Sequence, residues 1–166
     1  MPSAPQVSTE HIAMIRKGVS AIVASRGLDL RPSLMRAMAA DIRDDGRLVT
    51  ALVARAQAGQ LLQDIAATGA VSVVFSEPLS HRTVQLKAAR AALRPATPAD
   101  APLLQRYLAS MEQEIGAVGH GPEFVRAMLA CRIEALVVIE FAPEQGFDQT
   151  PGPRAGAALP PMADVP

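Results

Sequence analysis

Residues 31–54 read RPSLMRAMAADIRDDGRLVTALVA, and the centre of that stretch decides the fold. Asp44-Asp45-Gly46 stands between two apolar runs. An Asp-Gly pair in that setting predicts a tight hairpin, because glycine takes up the positive φ that such a turn demands. Arg31–Ile42 is therefore expected to be one extended strand, with Arg47–Ala54 as its antiparallel return. Upstream, Val19–Ser25 reads as another strand ended by Arg26-Gly27. Before it, Ser8 or Thr9 caps a short helix running to about Lys17. Downstream, Ala56 to Thr68 reads as a helix, since Ala58, Leu61, Leu62 and Ile65 share a face and Gly69 stops it.

The same reading extends to the C-terminus. Val71–Phe75 is a β-branched run bounded by Gly69 and Pro78, hence a strand. His81–Leu93 alternates in its first half, with Arg82, Val84 and Leu86 opposite His81, Thr83, Gln85 and Lys87. Its second half is alanine-rich and helical by propensity, but the whole is read as strand. Thr97-Pro98-Ala99-Asp100 starts a helix with an N-cap, a proline at N1 and an acid at N3. Leu104, Tyr107, Leu108, Met111 and Ile115 carry that helix to Gly116. Glu123–Cys131 reads as one more helix. Ile133–Phe141 reads as a strand with Glu134 and Glu140 on one side and its apolar residues on the other. Six of the 14 prolines fall after Ala142, which marks residues 143–166 as an irregular arm.

About six strands joined mostly by turns, without strict β–α alternation, argue against a doubly wound parallel sheet. The expected class is mainly β with peripheral helices: a small antiparallel barrel over residues 1–142, followed by the arm. At 166 residues with 49% hydrophobic side chains, the chain is one globular domain with ample apolar surface to fold. Val71–Phe75 and Ala135–Ile139 are far shorter than the ~18 residues of a membrane span. The first eleven residues read as neither a signal nor a transit sequence. Cys131 is the only cysteine, so no intrachain disulfide forms, and a reducing, cytoplasmic setting is expected. Sixteen basic and sixteen acidic residues cancel, which leaves no nucleic-acid footprint. The charges are nevertheless uneven. Residues 1–96 carry 12 basic and 7 acidic groups, so either the two oppositely charged parts simply face each other or solvent, or the basic part receives an anionic ligand.

No Gly-x-Gly-x-x-Gly follows a strand. Walker loops, Gly-x-Ser-x-Gly elbows, His-Glu-x-x-His and Cys-x-x-Cys pairs are missing too. His11, His81 and His120 lack metal-ligand spacing, so no metal site is expected. Two constellations remain. One is the polar ladder His81, Thr83, Gln85 and Lys87, either a solvated barrel face or a row of donors for a phosphate or a ring's carbonyls. The other is Arg55-Ala56-Gln57, where a strand meets a helix start and a guanidinium stands beside unpaired amides, a sound anion site.

The run from Arg31 to Lys87 resembles the pyridoxamine 5′-phosphate oxidase-like, FMN-binding split-barrel family. It does so through the Asp-Gly hairpin, the Arg55 helix start, the Val71–Phe75 strand and Arg82-Thr83-Val84-Gln85-Leu86-Lys87. The resemblance implies a six-stranded antiparallel Greek-key split barrel, a homodimer, and FMN bound between the two subunits. By position it implies flavin contacts from Thr50 and Ala51, from Arg55, Ala56 and Gln57, and from Thr83. With the polar ladder added, the residues expected around a cofactor are Thr50, Ala51, Arg55, Ala56, Gln57, Arg82, Thr83, Gln85 and Lys87. Flavin-binding members carry a basic residue near Ala40, an Arg-Lys pair where Ala56-Gln57 stand, and a glutamine at Thr83. Arg36, Arg55 and Lys87 are the cations available to substitute.

Three functional classes follow from the resemblance: a flavin-dependent oxidoreductase of unknown substrate, a non-catalytic dimeric module holding flavin or haem, and a cofactor-free dimer. Haem would draw on His81 or His120 as an axial ligand. Dimerisation is also expected because Leu34–Ile42 and Leu48–Val53 are apolar on both faces. In the arm, residues 146–156 are expected to pack in extended form over a barrel mouth, with Arg154 near the cofactor.

Overall fold

The Asp44–Gly46 turn is the tightest local signal and forms as read. In the computed structural model, which describes residues 4–162, the Asp45 carboxylate accepts from the Arg47 amide at 2.9 Å and from Arg43 Nη2 at 2.7 Å. Gly46 sits at φ 72°. The turn joins strand β3 (Ala39–Ile42) to β4 (Val49–Ala54), paired antiparallel in the register Ala40↔Ala51 and Ile42↔Val49.

The strand expected over Arg31–Ile42 is two strands. The chain forms β1 (Ser20–Arg26), turns, and runs back as β2 (Pro32–Arg36) on the edge of β1. It then crosses to the other sheet within two residues: the Ala37 amide donates to Ala21 O, and the Met38 amide donates to Leu52 O. Both residues are buried, so burial fixes the corner without glycine or proline.

Three further strands complete the middle of the chain: β5 (Val71–Ser76), β6 (Thr83–Ala88) and β7 (Ala91–Pro95). The segment His81–Leu93 is thus β throughout except for a break at Ala89-Arg90. Cross-strand partners override the helical propensity of its alanines: Ala91 and Ala92 lie opposite Phe141 and Glu140. The remaining strands are β8 (Leu136–Phe141), β9 (Gln145–Asp148) and β10 (Ala157–Ala158). The fold is mainly β, and all pairings are antiparallel. One sheet runs β10-β9-β6-β5-β1-β2 and the other β3-β4-β8-β7. The ten strands of the described residues exceed the six expected, and no ladder among those residues links the two sheets into a closed barrel.

Four α-helices surround the sheets. Helix α1 (Thr9–Lys17) is capped by Ser8, whose Oγ accepts from the His11 amide at 3.2 Å. Helix α2 is Gly59–Thr68, three residues shorter at its start than expected. Gln57 and Ala58 both donate to Ala54 O, which makes Arg55–Gln57 a turn. Helix α3 (Ala101–Ala117) follows a 3₁₀ turn over Pro98–Asp100, in which the Asp100 carboxylate accepts from the Thr97 amide at 2.8 Å. Helix α4 is Pro122–Met128, so it stops short of Cys131. Ile133–Ala135 forms another 3₁₀ turn, which removes Glu134 from the strand and from the face of Glu140.

Two cores hold these layers together. Between the sheets, Val23, Phe75 and Leu86 meet Ile42, Val53, Ile139 and Phe141, with Ile15 of α1 and Leu61 and Ile65 of α2 joining them. Behind the four-stranded sheet, Ala39, Leu52, Leu136 and Val138 pack on Tyr107 and Met111 of α3 and Val125 of α4. Each fully buried Leu, Ile, Val or Phe contributes roughly 1.5–3 kcal/mol. The second core also explains why β3 and β4 are apolar on both faces: α3 and α4 cover the second face within the same chain. That patterning is therefore no argument for a dimer.

The region after Pro143 is less irregular than its composition suggests. Strand β9 pairs with β6 in the register Gln85↔Phe147, and β10 returns on β9. Pro143, Pro151, Pro153 and Pro160 fall outside the β9–β10 ladder, and Pro161 forms a bridge to Pro5. Of the expected arm, residues 163–166 lie outside the described residues, as do residues 1–3 at the other end.

Candidate functional site

The turn after β4 carries the clearest unsatisfied chemistry. Its backbone is pinned by the Arg55 amide, which donates to Ala135 O at 2.9 Å. The Arg55 side chain is exposed and makes no ion pair or hydrogen bond among the described residues. Helix α2 begins just beyond, with Ala58 at the N-cap. Alanine offers no capping oxygen, and no acid stands in the first turn. Gly59 and Gln60 are exposed residues, and they stand at the positive end of the helix dipole. A cleft of ≈ 170 Å³ lies beside the turn, walled by Arg55, Leu62, Leu93 and Arg94. Arg94 is committed: it donates to both Asp100 oxygens at 2.9 Å and to Glu140 at 3.1 Å. Arg55 is thus the available cation. Ala56 and Gln57 sit exposed in the same turn.

The polar ladder of β6 lies on the outward face of the six-stranded sheet. Gln85 donates to Ser72 Oγ at 2.9 Å and accepts from Gln149 Nε2 at 3.0 Å. Thr83 is buried, its hydroxyl 2.8 Å from Ser76 Oγ, and its amide donates to Thr150 Oγ1. Lys87 places its ammonium 4.9 Å over the Phe147 ring. Arg82 is turned the other way, 3.8 Å from Glu10. Gln149 and Thr150 complete this ladder from the segment after β9. Their part in it comes from tertiary pairing, and the only local trace of it is the polar run Asp148–Thr150.

Thr50 and Ala51 are placed differently. The Ala51 side chain is fully buried between the sheets. Thr50 lies opposite Asp41 on one side and Glu140 on the other, next to a cleft of ≈ 240 Å³ that also holds Arg16 and Arg43. Asp41 is ion-paired with Arg106 at 2.7 Å. Ala40 is also interior at 2% exposure, so a basic side chain there would be buried in the core. Arg36 donates to Ser20 Oγ at 2.9 Å on the outward face of β1 and β2. Within one chain, then, Thr83 and Gln85 come together, whereas Arg55, Lys87 and Thr50 open onto three separate clefts.

The histidines are dispersed. His81 holds a left-handed turn at φ 59° before β6, and His120 stacks on Phe124 at 5.0 Å between centroids. His11 is half-buried with Nδ1 unpartnered, and burial lowers its pKa. Burial pushes the Cys131 thiol up, so it is no ready thiolate. No cluster among the described residues could hold a metal ion. No helix among them is long and apolar enough to cross a membrane. Arg154 occupies an exposed turn after β9.

Two antiparallel sheets around a shared core, with helices at the ends and on one outer face, define the fold of the pyridoxamine 5′-phosphate oxidase-like split barrels. Several solved structures share this fold. An F420 reductase matches with a TM-score of 0.56 and 15% identity over 84% of this chain and 98% of its own. HupZ of Group A Streptococcus matches at 0.55 and 15%, over 91% and 100%. A protein of Lactobacillus delbrueckii assigned as a candidate pyridoxamine 5′-phosphate oxidase matches at 0.53 and 14%, over 85% and 93%. At these identities what is shared is the fold. No family model and no curated protein matches the sequence.

Proposed function

We propose that this chain binds FMN between two copies of itself and serves as a flavin-dependent oxidoreductase in the cytoplasm. The observation that carries the reading is the unpaired Arg55 guanidinium beside the uncapped start of α2, on a split-barrel fold. A phosphate monoester fits that arrangement, because it can take charge-assisted hydrogen bonds from the guanidinium and from open amides. When bound, FMN supplies the electron-transfer chemistry, and the protein supplies binding and orientation. Arg55 grips the phosphate. The Thr83–Gln85 ladder, held by Ser72, Ser76, Gln149 and Thr150, offers fixed polar groups to the ring from the second copy. The outward face of the six-stranded sheet supports such pairing: Ile22 and Val74 lie side by side there, and Leu34, opposite Ala24 at the next outward position, is 67% exposed.

The test is the visible spectrum of the purified protein, followed by fluorescence titration with FMN. Flavin bands and saturable binding are expected. Each charge-assisted bond contributes roughly 1.5–3 kcal/mol, so Arg55→Ala should weaken FMN about tenfold or more. No binding at high micromolar FMN sinks the reading. A Soret band would indicate haem instead, and no chromophore with a dimer by light scattering would indicate the cofactor-free class. A particle of 17.4 kDa would refute the dimer.

A further inference from the structure

An open cleft of ≈ 380 Å³ lies where four strands of the six-stranded sheet end or begin, away from Arg55. The register sets Ala24, Ser72, Lys87 and Gln145 side by side across β1, β5, β6 and β9. Two cations face this space. Among the described residues Lys87 has no carboxylate partner, and its ammonium lies over the Phe147 ring. Arg26 has none among them either, and its guanidinium donates to Gly27 O at 3.5 Å. The single acid in the wall, Glu144, is already engaged: it accepts from the Ala89 amide at 3.2 Å and pairs with Arg90 at 3.6 Å. Ser25, Ser72 and Gln145 add neutral polar groups, and the rest of the lining is small and apolar, with Ala70 and Ala88 leaving room for a compact body. The volume falls within the usual range of small-ligand pockets.

We propose that this cleft binds a small organic anion, a carboxylate or phosphate monoester carried on a compact apolar group. Lys87 and Arg26 hold the anionic head from opposite walls, and Ser72 Oγ lies between them. The alanines receive the apolar body. The site is separate from the Arg55 turn, and the reading does not depend on FMN being bound there.

Calorimetric titration of the full chain with phenyl phosphate and with benzoate tests this, with benzyl alcohol as the uncharged control. Amide shift mapping in the wild type supplies a second measurement. Saturable binding of at least one anion is expected, and whichever binds more tightly identifies the head group. The shifts should centre on Ser72, Ala88 and Ala89. Lys87→Met and Arg26→Met should each weaken it about tenfold, the effect of one lost charge-assisted contact. Arg55→Ala should leave it unchanged, and added FMN should not displace it. Four results overturn the proposal: no saturable binding up to about 10 mM, unaltered affinity in the Lys87→Met/Arg26→Met pair, benzyl alcohol binding as tightly as the anions, or displacement by FMN. The last would make this cleft the flavin site, whereas failure of FMN to bind anywhere would leave it standing.

Discussion

Removing one oxygen atom from Tyr107 should measurably loosen the junction between α1 and β1. Helix α3 lies across that junction and holds two successive carbonyls: Tyr107 Oη donates to Val19 O at 2.6 Å, and Ser110 Oγ donates to Gly18 O at 2.7 Å. The approach is close enough that a Cβ on Gly18, at φ 97°, would come within 3.1 Å of Ser110 Cβ. In Tyr107→Phe the ring still fills the second core, but the buried Val19 carbonyl loses its donor. A lost bond of this kind costs about 1–3 kcal/mol. For a chain of this length each kcal/mol moves the melting temperature by about 2–4 °C, so a fall of about 2–12 °C is expected by circular dichroism. Ser110→Ala and the double variant complete a cycle, and because both hydroxyls hold one backbone segment, their effects should not add. Tyr107 is the only tyrosine in a chain without tryptophan, so ultraviolet titration follows it alone. Burial pushes its pKa up to about 12 from 10.0. The folded chain then keeps a proton that the unfolded chain releases, so this contribution is whole below pH 10.0 and is lost as pH rises toward 12. A Tyr107→Phe melt within about 1 °C of wild type, with additive effects in the cycle, would refute the clamp.

Gly69, at φ 71°, would bring a Cβ within 2.5 Å of Ala89 O, so Gly69→Ala should lose stability in urea by more than the roughly 1 kcal/mol of an unhindered left-handed site. The Arg94 side chain, then the Thr97 amide, lower the Asp100 pKa to about 2 from 3.8. The stability this carboxylate contributes is therefore present above pH 3.8 and lost as pH falls through about 2, and melts of Asp100→Asn across that window should show a flatter acid limb. Truncation after Pro143 removes β9 together with the Gln149 and Thr150 contacts to β6, so it should lower the melting temperature. An unchanged melt would show that β9 is held only weakly.

Local signals carried the reading of the fold where backbone chemistry sets the outcome. The Asp44–Gly46 hairpin, the Ser8 cap and the Thr97–Asp100 helix start each depend on residues within four positions of one another. The split of Arg31–Ile42 was not legible, because the crossing at Ala37-Met38 is fixed by Ala21 and Leu52, residues distant in sequence. Likewise, Ala91–Leu93 is strand because of β8. For the candidate site, what could be read directly was Arg55 at the junction of a strand and a helix, whereas the Ala58 cap and the helix start at Gly59 could not. Its assembly was not: the sheets that carry Arg55, Lys87 and Thr50 are defined only by long-range pairing, and within one chain these residues stand apart.

Strand β4 has both edges hydrogen-bonded, to β3 and β8, and over its centre, Ala51 to Val53, both faces are buried, one in each core. No water can reach its central amides without parting a sheet or lifting α3. Opening one core alone therefore leaves β4 protected by the other. Its amides should exchange with solvent only when the whole molecule unfolds, so the two cores share a single cooperative unit through this strand.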